Sequence, residues 1–156
     1  MCQNNFVEAY RKNPKRRVIA APKFYFFDVG VANNLLKRRN LEPGSVDFGH
    51  AFEHFIFMEL KAFSKYSGKN FPISYWRTSS GLEVDFILGE HEIAIETKTS
   101  ANIQSKHTKG LIAFSEEYAT KKNIMVSFEE YKRIHHGVEI WPWKTFLAQL
   151  WAGEII

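Results

Sequence analysis

Apolar and polar positions alternate with period two along two neighbouring stretches in the middle of the chain. Val84, Phe86 and Leu88 alternate with Glu83, Asp85 and Ile87, and Ile93, Ile95 and Thr97 alternate with Ala94, Glu96 and Lys98. That spacing predicts two β-strands. Gly89-Glu90 between them suits a two-residue hairpin turn with glycine first. In that register residue 88 faces residue 91, Asp85 faces Ala94 and Glu83 faces Glu96. Opposed residues share a face, as do their neighbours two positions along, so Glu83, Asp85, Glu96 and Lys98 fall on one side. A four-residue turn keeps this parity, whereas a three-residue turn breaks it.

Around the hairpin the period changes. Phe48, Phe52, Phe55, Ile56, Leu60 and Phe63 follow a 3.6-residue repeat, with Ala51, Phe57 and Met58 filling the gaps. They predict a helix from Ser45 or Asp47 to about Lys65, buried on more than one face. Glu53 sits in this apolar surround, where a lone carboxylate is costly. It must meet a cation or a metal, or keep its proton. Upstream, Lys23 to Asp28 reads as a strand, followed by a short helix through Lys37 that Asp28 caps or turns. Lys37-Arg38-Arg39-Asn40 and Pro43-Gly44 form a polar break. Ile73 to Thr78 is the strand before the hairpin, and Thr78-Ser79-Ser80-Gly81 the turn into it. A helix of about Ile103 to Ala119 follows, then strands at Asn123 to Phe128 and Val138 to Trp141. Pro142 starts a last helix that Gly153 stops.

Composition narrows the class. The 156 residues suit one domain, and 45% hydrophobic content with 14 Phe, 6 Tyr and 4 Trp leaves ample core material. Cys2 is the single cysteine, which excludes an internal disulfide and a cysteine metal cluster and fits a reducing cytoplasm. No apolar run approaches membrane-spanning length and no leader pattern opens the chain, so a cytoplasmic protein without membrane contact is expected. A formal charge of +4 permits contact with phosphates. Arg11, Lys12, Lys15, Arg16 and Arg17 put five basic residues in seven, interrupted by Pro14. Residues 1–22 therefore read as an attachment segment, with a nucleic-acid contact arm as one use of it.

Three carboxylates and a lysine on one hairpin face repel unless something positive sits between them. Oxygen ligands of this kind suit Mg²⁺ or Mn²⁺, and the lysine two residues past Glu96 could position an attacking water. A solvated, merely solubilising face is the alternative. Two other motifs compete for attention. His50-Ala-Phe-Glu53-His54 spells the H-x-x-E-H pattern of inverted zinc peptidases, but no downstream helix offers a third acidic ligand. Ser67-Gly68-Lys69-Asn70 lacks the spacing of a phosphate loop.

Asp85, ten residues, then Glu96-Thr97-Lys98 resembles the signature of the PD-(D/E)XK nuclease superfamily, whose fold is restriction-endonuclease-like. The chain is closer still to a domain of unknown function found C-terminal to AAA-type ATPases of bacteria and archaea. That likeness rests on Lys23-Phe-Tyr-Phe-Phe-Asp28-Val-Gly30, Gly49-His-Ala-Phe-Glu53 leading to Glu59-Leu60, Tyr75-Trp-Arg77-Thr78 with Gly81-Leu-Glu83-Val-Asp85-Phe, and Ile95-Glu96-Thr-Lys98. The resemblance implies an α/β domain, residues 23–156, with a central mixed sheet flanked by helices in the order α-β-β-β-α-β. Residues 1–22 would be the join to an ATPase portion.

The resemblance also implies a metal-dependent nuclease, with Glu53, Asp85, Glu96 and Lys98 as its working residues. Asp85, Glu96 and the Thr97 carbonyl would hold Mg²⁺ or Mn²⁺, with Glu53 an outer ligand reached through water. Glu83 and Gln104 would be auxiliary, and Lys109 is another polar helix residue able to assist. The implied partners are nucleic acid, DNA foremost, and the AAA-type ATPase, with a homo-oligomer compatible with both. From another class comes the rival, a catalytically silent interaction or regulatory module of the ATPase.

Overall fold

The computed structural model describes residues 5–12, 14–35 and 41–156. Cys2 and the break at Lys37-Arg38-Arg39-Asn40 lie outside the described residues. Among the described residues twelve elements follow one another: β1 (Phe6–Ala9), β2 (Lys23–Phe24), α1 (Val29–Leu35), α2 (Val46–Tyr66), β3 (Ile73–Arg77), β4 (Glu83–Leu88), β5 (Ile93–Thr97), α3 (Lys109–Ser115), β6 (Lys122–Ser127), β7 (Arg133–His135), β8 (Val138–Pro142) and α4 (Trp143–Trp151). The eight strands make one mixed sheet in the order β2-β1-β3-β4-β5-β6-β8-β7. Strands β3, β4 and β5 form an antiparallel meander, while β5, β6 and β8 run parallel to one another.

Each face of the sheet carries its own core. Phe86, Leu88, Ile93 and Ile95 pack with Phe52, Ile56, Phe57 and Leu60 of α2 and with Phe146 and Leu150 of α4. On the other face Val84, Ile87, Ala94 and Met125 pack with Leu111, Ala113 and Phe114 of α3. The expected mixed α/β layering is therefore present, and the run α2-β3-β4-β5-α3-β6 has the expected order. Among the described residues no helix is long and apolar enough to cross a membrane.

Helix α2 starts where the polar break predicts. Ser45 accepts the Phe48 N–H at 3.1 Å as its cap, and the helix ends at Ser67-Gly68, where Gly68 takes a φ of 73°. Asp28 accepts the Val31 N–H at 2.8 Å and so starts α1. The strand expected over Lys23 to Asp28 is only two residues long, Lys23 pairing with Val7 and Phe24 with Phe6. The third helix begins at Lys109 rather than Ile103. Ser105 and Gln104 instead form turns with Thr108 and His107. Strands β1 and β7 were not expected: both are short edge-region pieces without a full alternation cycle.

The sheet begins on the N-terminal side of the division expected at residues 22 and 23, because β1 pairs in parallel with β3. The basic stretch that follows folds back onto acids of the domain. Arg16 meets Glu116 and Glu117, both at 2.6 Å, and Lys12 meets Glu90 at 2.7 Å.

Helix α3 approaches β4 closely at Gly110. A Cβ there would stand 1.8 Å from the Glu83 carbonyl oxygen. The Gly110→Ala variant is expected to push α3 off the sheet and lose about 1–3 kcal/mol of stability, the usual cost of overpacking. Its denaturant midpoint measured against the parent's checks this.

Candidate functional site

The hairpin differs from its expected register in a way that matters for the acids. Phe86 pairs with Ile95, Ile87 with Ala94 and Leu88 with Ile93, so the turn is the four residues Gly89 to Glu92. This moves Asp85 from opposite Ala94 towards Glu96. A second irregularity lies on the other side of β4: Ser74 pairs with Ile87 but Trp76 with Val84. Asp85 and Phe86 together oppose the single residue Tyr75, which is a β-bulge. The alternation shows it directly, since Val84 and Ile87, three positions apart, belong to the same core.

The bulge re-aims Asp85 to the face of α2, so the expected placing of all four charges on one side does not hold. Alternation from Ile95 puts Thr97 on that same face, and its backbone N–H and its hydroxyl both donate to Asp85 Oδ2 at 2.8 Å. Glu96 and Lys98 issue from the α3 face, where the Lys98 ammonium donates to Glu96 Oε1 at 2.7 Å. At the strand end the two faces meet. Glu53, Glu83, Asp85, Glu96, Thr97 and Lys98 all border one cavity of about 250 Å³. A neighbouring cavity of about 290 Å³ shares Glu83, Glu96 and Lys98 and adds Lys106, His107 and Lys109.

Glu53 is turned towards the hairpin. The α2 residues around it are locked in the core, and Phe57 stacks on Tyr25 with ring centroids 4.3 Å apart. The Tyr25 hydroxyl donates to Glu53 Oε1. Lys23, two residues earlier, reaches the same oxygen at 3.1 Å, Glu83 Oε1 at 2.6 Å and Asp85 Oδ1 at 3.8 Å. Lys23 is the residue sequence reasoning missed. The period of a strand already put it on the face of Tyr25, but nothing local tied that face to the hairpin.

Burial sets the electrostatics. Asp85 and Glu96 are 5% and 6% exposed. Burial, then the charge of Glu53, pushes the Asp85 carboxyl up to about 7 against the pull of Lys23, Lys98 and the Thr97 N–H. Glu96 is raised well above the carboxylate range by burial and then by Asp85. Burial works against the ammonium of Lys23, yet Glu53, Asp85 and Glu83 outweigh it and raise its pKa. Lys98 is likewise raised, with Glu96 and Asp85 overcoming its desolvation.

The donor set suits a hard divalent cation: carboxylates border the cavity, and Glu96 Oε2 is buried without a hydrogen-bond partner. Among the described residues no three His, Cys, Asp or Glu side chains are gathered as a ready metal cluster, and the ammoniums of Lys23 and Lys98 stand among the acids. Of the other expected residues, Gln104 is exposed, precedes α3 and borders neither cavity. Arg77 Nε lies 3.9 Å from Glu83 Oε2, an ion pair at the surface. The H-x-x-E-H histidines part company: His50 borders the acid cavity, whereas His54 is buried against the Phe26 carbonyl at 2.8 Å.

Fold and site together define a mixed α/β domain with an acid and lysine cavity at one end of its central strands. Residues 48–146 match the family model of a domain of unknown function (DUF4143), and the chain belongs to that family. Glu53, Glu83, Asp85, Glu96 and Lys98 all fall within the matched segment, while Lys23 lies ahead of it. No curated protein and no solved structure matches the chain.

Proposed function

We propose that the chain is a metal-dependent, nuclease-like domain that hydrolyses phosphodiester bonds of nucleic acid, DNA foremost, in company with an AAA-type ATPase. The observation that carries the reading is the pair Asp85 and Glu96, both nearly buried, bordering one cavity with Lys98 while Glu96 Oε2 stays unpartnered. A buried carboxylate oxygen without a donor is expensive unless something positive is meant to reach it. The run α2-β3-β4-β5-α3-β6 supports the restriction-endonuclease-like core that the resemblance implies.

In this reading Asp85, Glu96 and the Thr97 carbonyl would hold Mg²⁺ or Mn²⁺, and Glu53 would be an outer ligand. Such an ion, when bound, polarises the phosphate and offsets its charge. Thr97 fixes Asp85 from its backbone and hydroxyl at once. Lys98 holds Glu96, orients the attacking water and faces the negative charge that builds on the phosphate in the transition state. Glu83 acts as an auxiliary acid. The link to the ATPase portion would join ahead of β1, whose residues already belong to the sheet, and the cytoplasm is the compartment this pairing suits.

One observation favours a second reading, a catalytically silent interaction module of the ATPase. Lys23 already bridges Glu53 and Glu83 and lies 3.8 Å from Asp85, so these acids have a cation without any ion. Titrating Mg²⁺ or Mn²⁺ while following Tm separates the two, paired with degradation assays on single-stranded, duplex and branched DNA. A rise in Tm together with ion-dependent cleavage is expected. Neither effect would leave only the interaction module.

A further inference from the structure

Lys23 belongs to no part of the acid and lysine signature, yet its ammonium reaches carboxylates carried by two separate elements, Glu53 on α2 and Glu83 and Asp85 on β4. One cation shared among several carboxylates is the arrangement a bound metal ion adopts. The ammonium engages a single oxygen of each acid. Those three acids border the acid cavity, and Lys23 is not among the residues that line it. Its place is fixed by β2, whose Lys23 pairs with Val7, and by Tyr25, which shares the Glu53 oxygen and stacks on Phe57.

Formal charge gives this position a consequence. Once uptake of an ion has displaced the protons of Asp85 and Glu96, Glu53, Glu83, Asp85 and Glu96 bring four negative charges, and Lys23 and Lys98 return two positive ones. The remainder matches one divalent ion.

We propose that Lys23 is the pocket's fixed second cation, a positioning residue that gathers Glu53, Glu83 and Asp85 and restricts the site to a single divalent ion. The inference rests on the metal-dependent reading above and adds to it the number of ions and the residue that sets it. With Lys23 replaced by glutamine, three negative charges stay uncompensated, and the place of the ammonium becomes a second cation site.

Calorimetric titration of Mn²⁺ into the full chain and into the Lys23→Gln variant tests this. One bound ion per parent chain and two per variant are expected. An equal number in both overturns the role of Lys23 and leaves the metal reading standing, whereas no uptake by either removes both. The parent alone supplies a second measurement should the variant not fold. The ¹⁵N signal of the Lys23 ammonium should keep its bridged position at saturating Mg²⁺. A move to the position of a free lysine would show that the ion displaces Lys23, and would overturn the proposal.

Discussion

Replacing Lys98 by alanine should lower ion-dependent cleavage by a factor of about 100 or more, the usual scale for removing a group that handles a proton or transition-state charge. The ammonium lies 2.7 Å from Glu96 Oε1 and borders both cavities, so it stands where the acids and an incoming phosphate would meet. Its side chain is 40% exposed and supplies little of the core, so the fold should survive its removal. Glu96 loses its counter-charge in the variant and is expected to keep a proton instead, which spares the structure a buried unpaired charge. Cleavage rate and Tm of Lys98→Ala beside the parent check both halves. A variant that cuts as fast as the parent would end the hydrolytic reading.

The ion-free chain should become less stable as pH rises from about 5 to 8. The Asp85 carboxyl sits at about 7 in the folded protein against 3.8 ordinarily. Between those values the folded state binds more protons than the unfolded one, so stability is fullest below the lower value and falls as pH climbs through the upper one. Glu96, raised for the same cause of burial, acts in the same direction. Glu129 acts the other way only at lower pH, its carboxyl held low chiefly by the hydrogen bond from Arg133, whereas His107, held low chiefly by burial, opposes the trend within this range. A shift of this size corresponds to a loss on the order of a few kcal/mol. Urea unfolding at pH 5 and pH 8 measures it, and the Asp85→Asn variant isolates the source: its slope should flatten. Mg²⁺ should restore stability more at pH 8 than at pH 5, because protons and the ion compete for the same oxygens.

The elements that the sequence made legible are those with a complete repeat of their own. Helix α2 shows nearly six turns of apolar spacing, and β4 and β5 each show a run of alternation, so their place and type followed from local pattern. The start of α3 did not, because Ile103 is buried without being helical and its place in the stripe looked like one more turn. Strands β1 and β7 are too short to show a period, and they exist because a neighbouring strand supplies their hydrogen bonds.

The site divides the same way. Asp85 and Glu96-Thr97-Lys98 could be singled out from spacing alone, and Glu53 from being a charge in an apolar helix. How they meet depended on the bulge at Asp85 and Phe86, which is a mismatch between β4 and β3 and belongs to neither strand by itself. Lys23 depended on it too, since it meets Glu53 thirty residues away only after β2 has joined the far edge of the sheet. The chain's own order of residues determined which groups are acidic, which segments are strands and helices, and how much apolar surface must be hidden. Tertiary structure decided which acids share a cavity and which lysine holds them, because side-chain direction at a bulge and pairing between distant charges are set by contacts that no local period encodes.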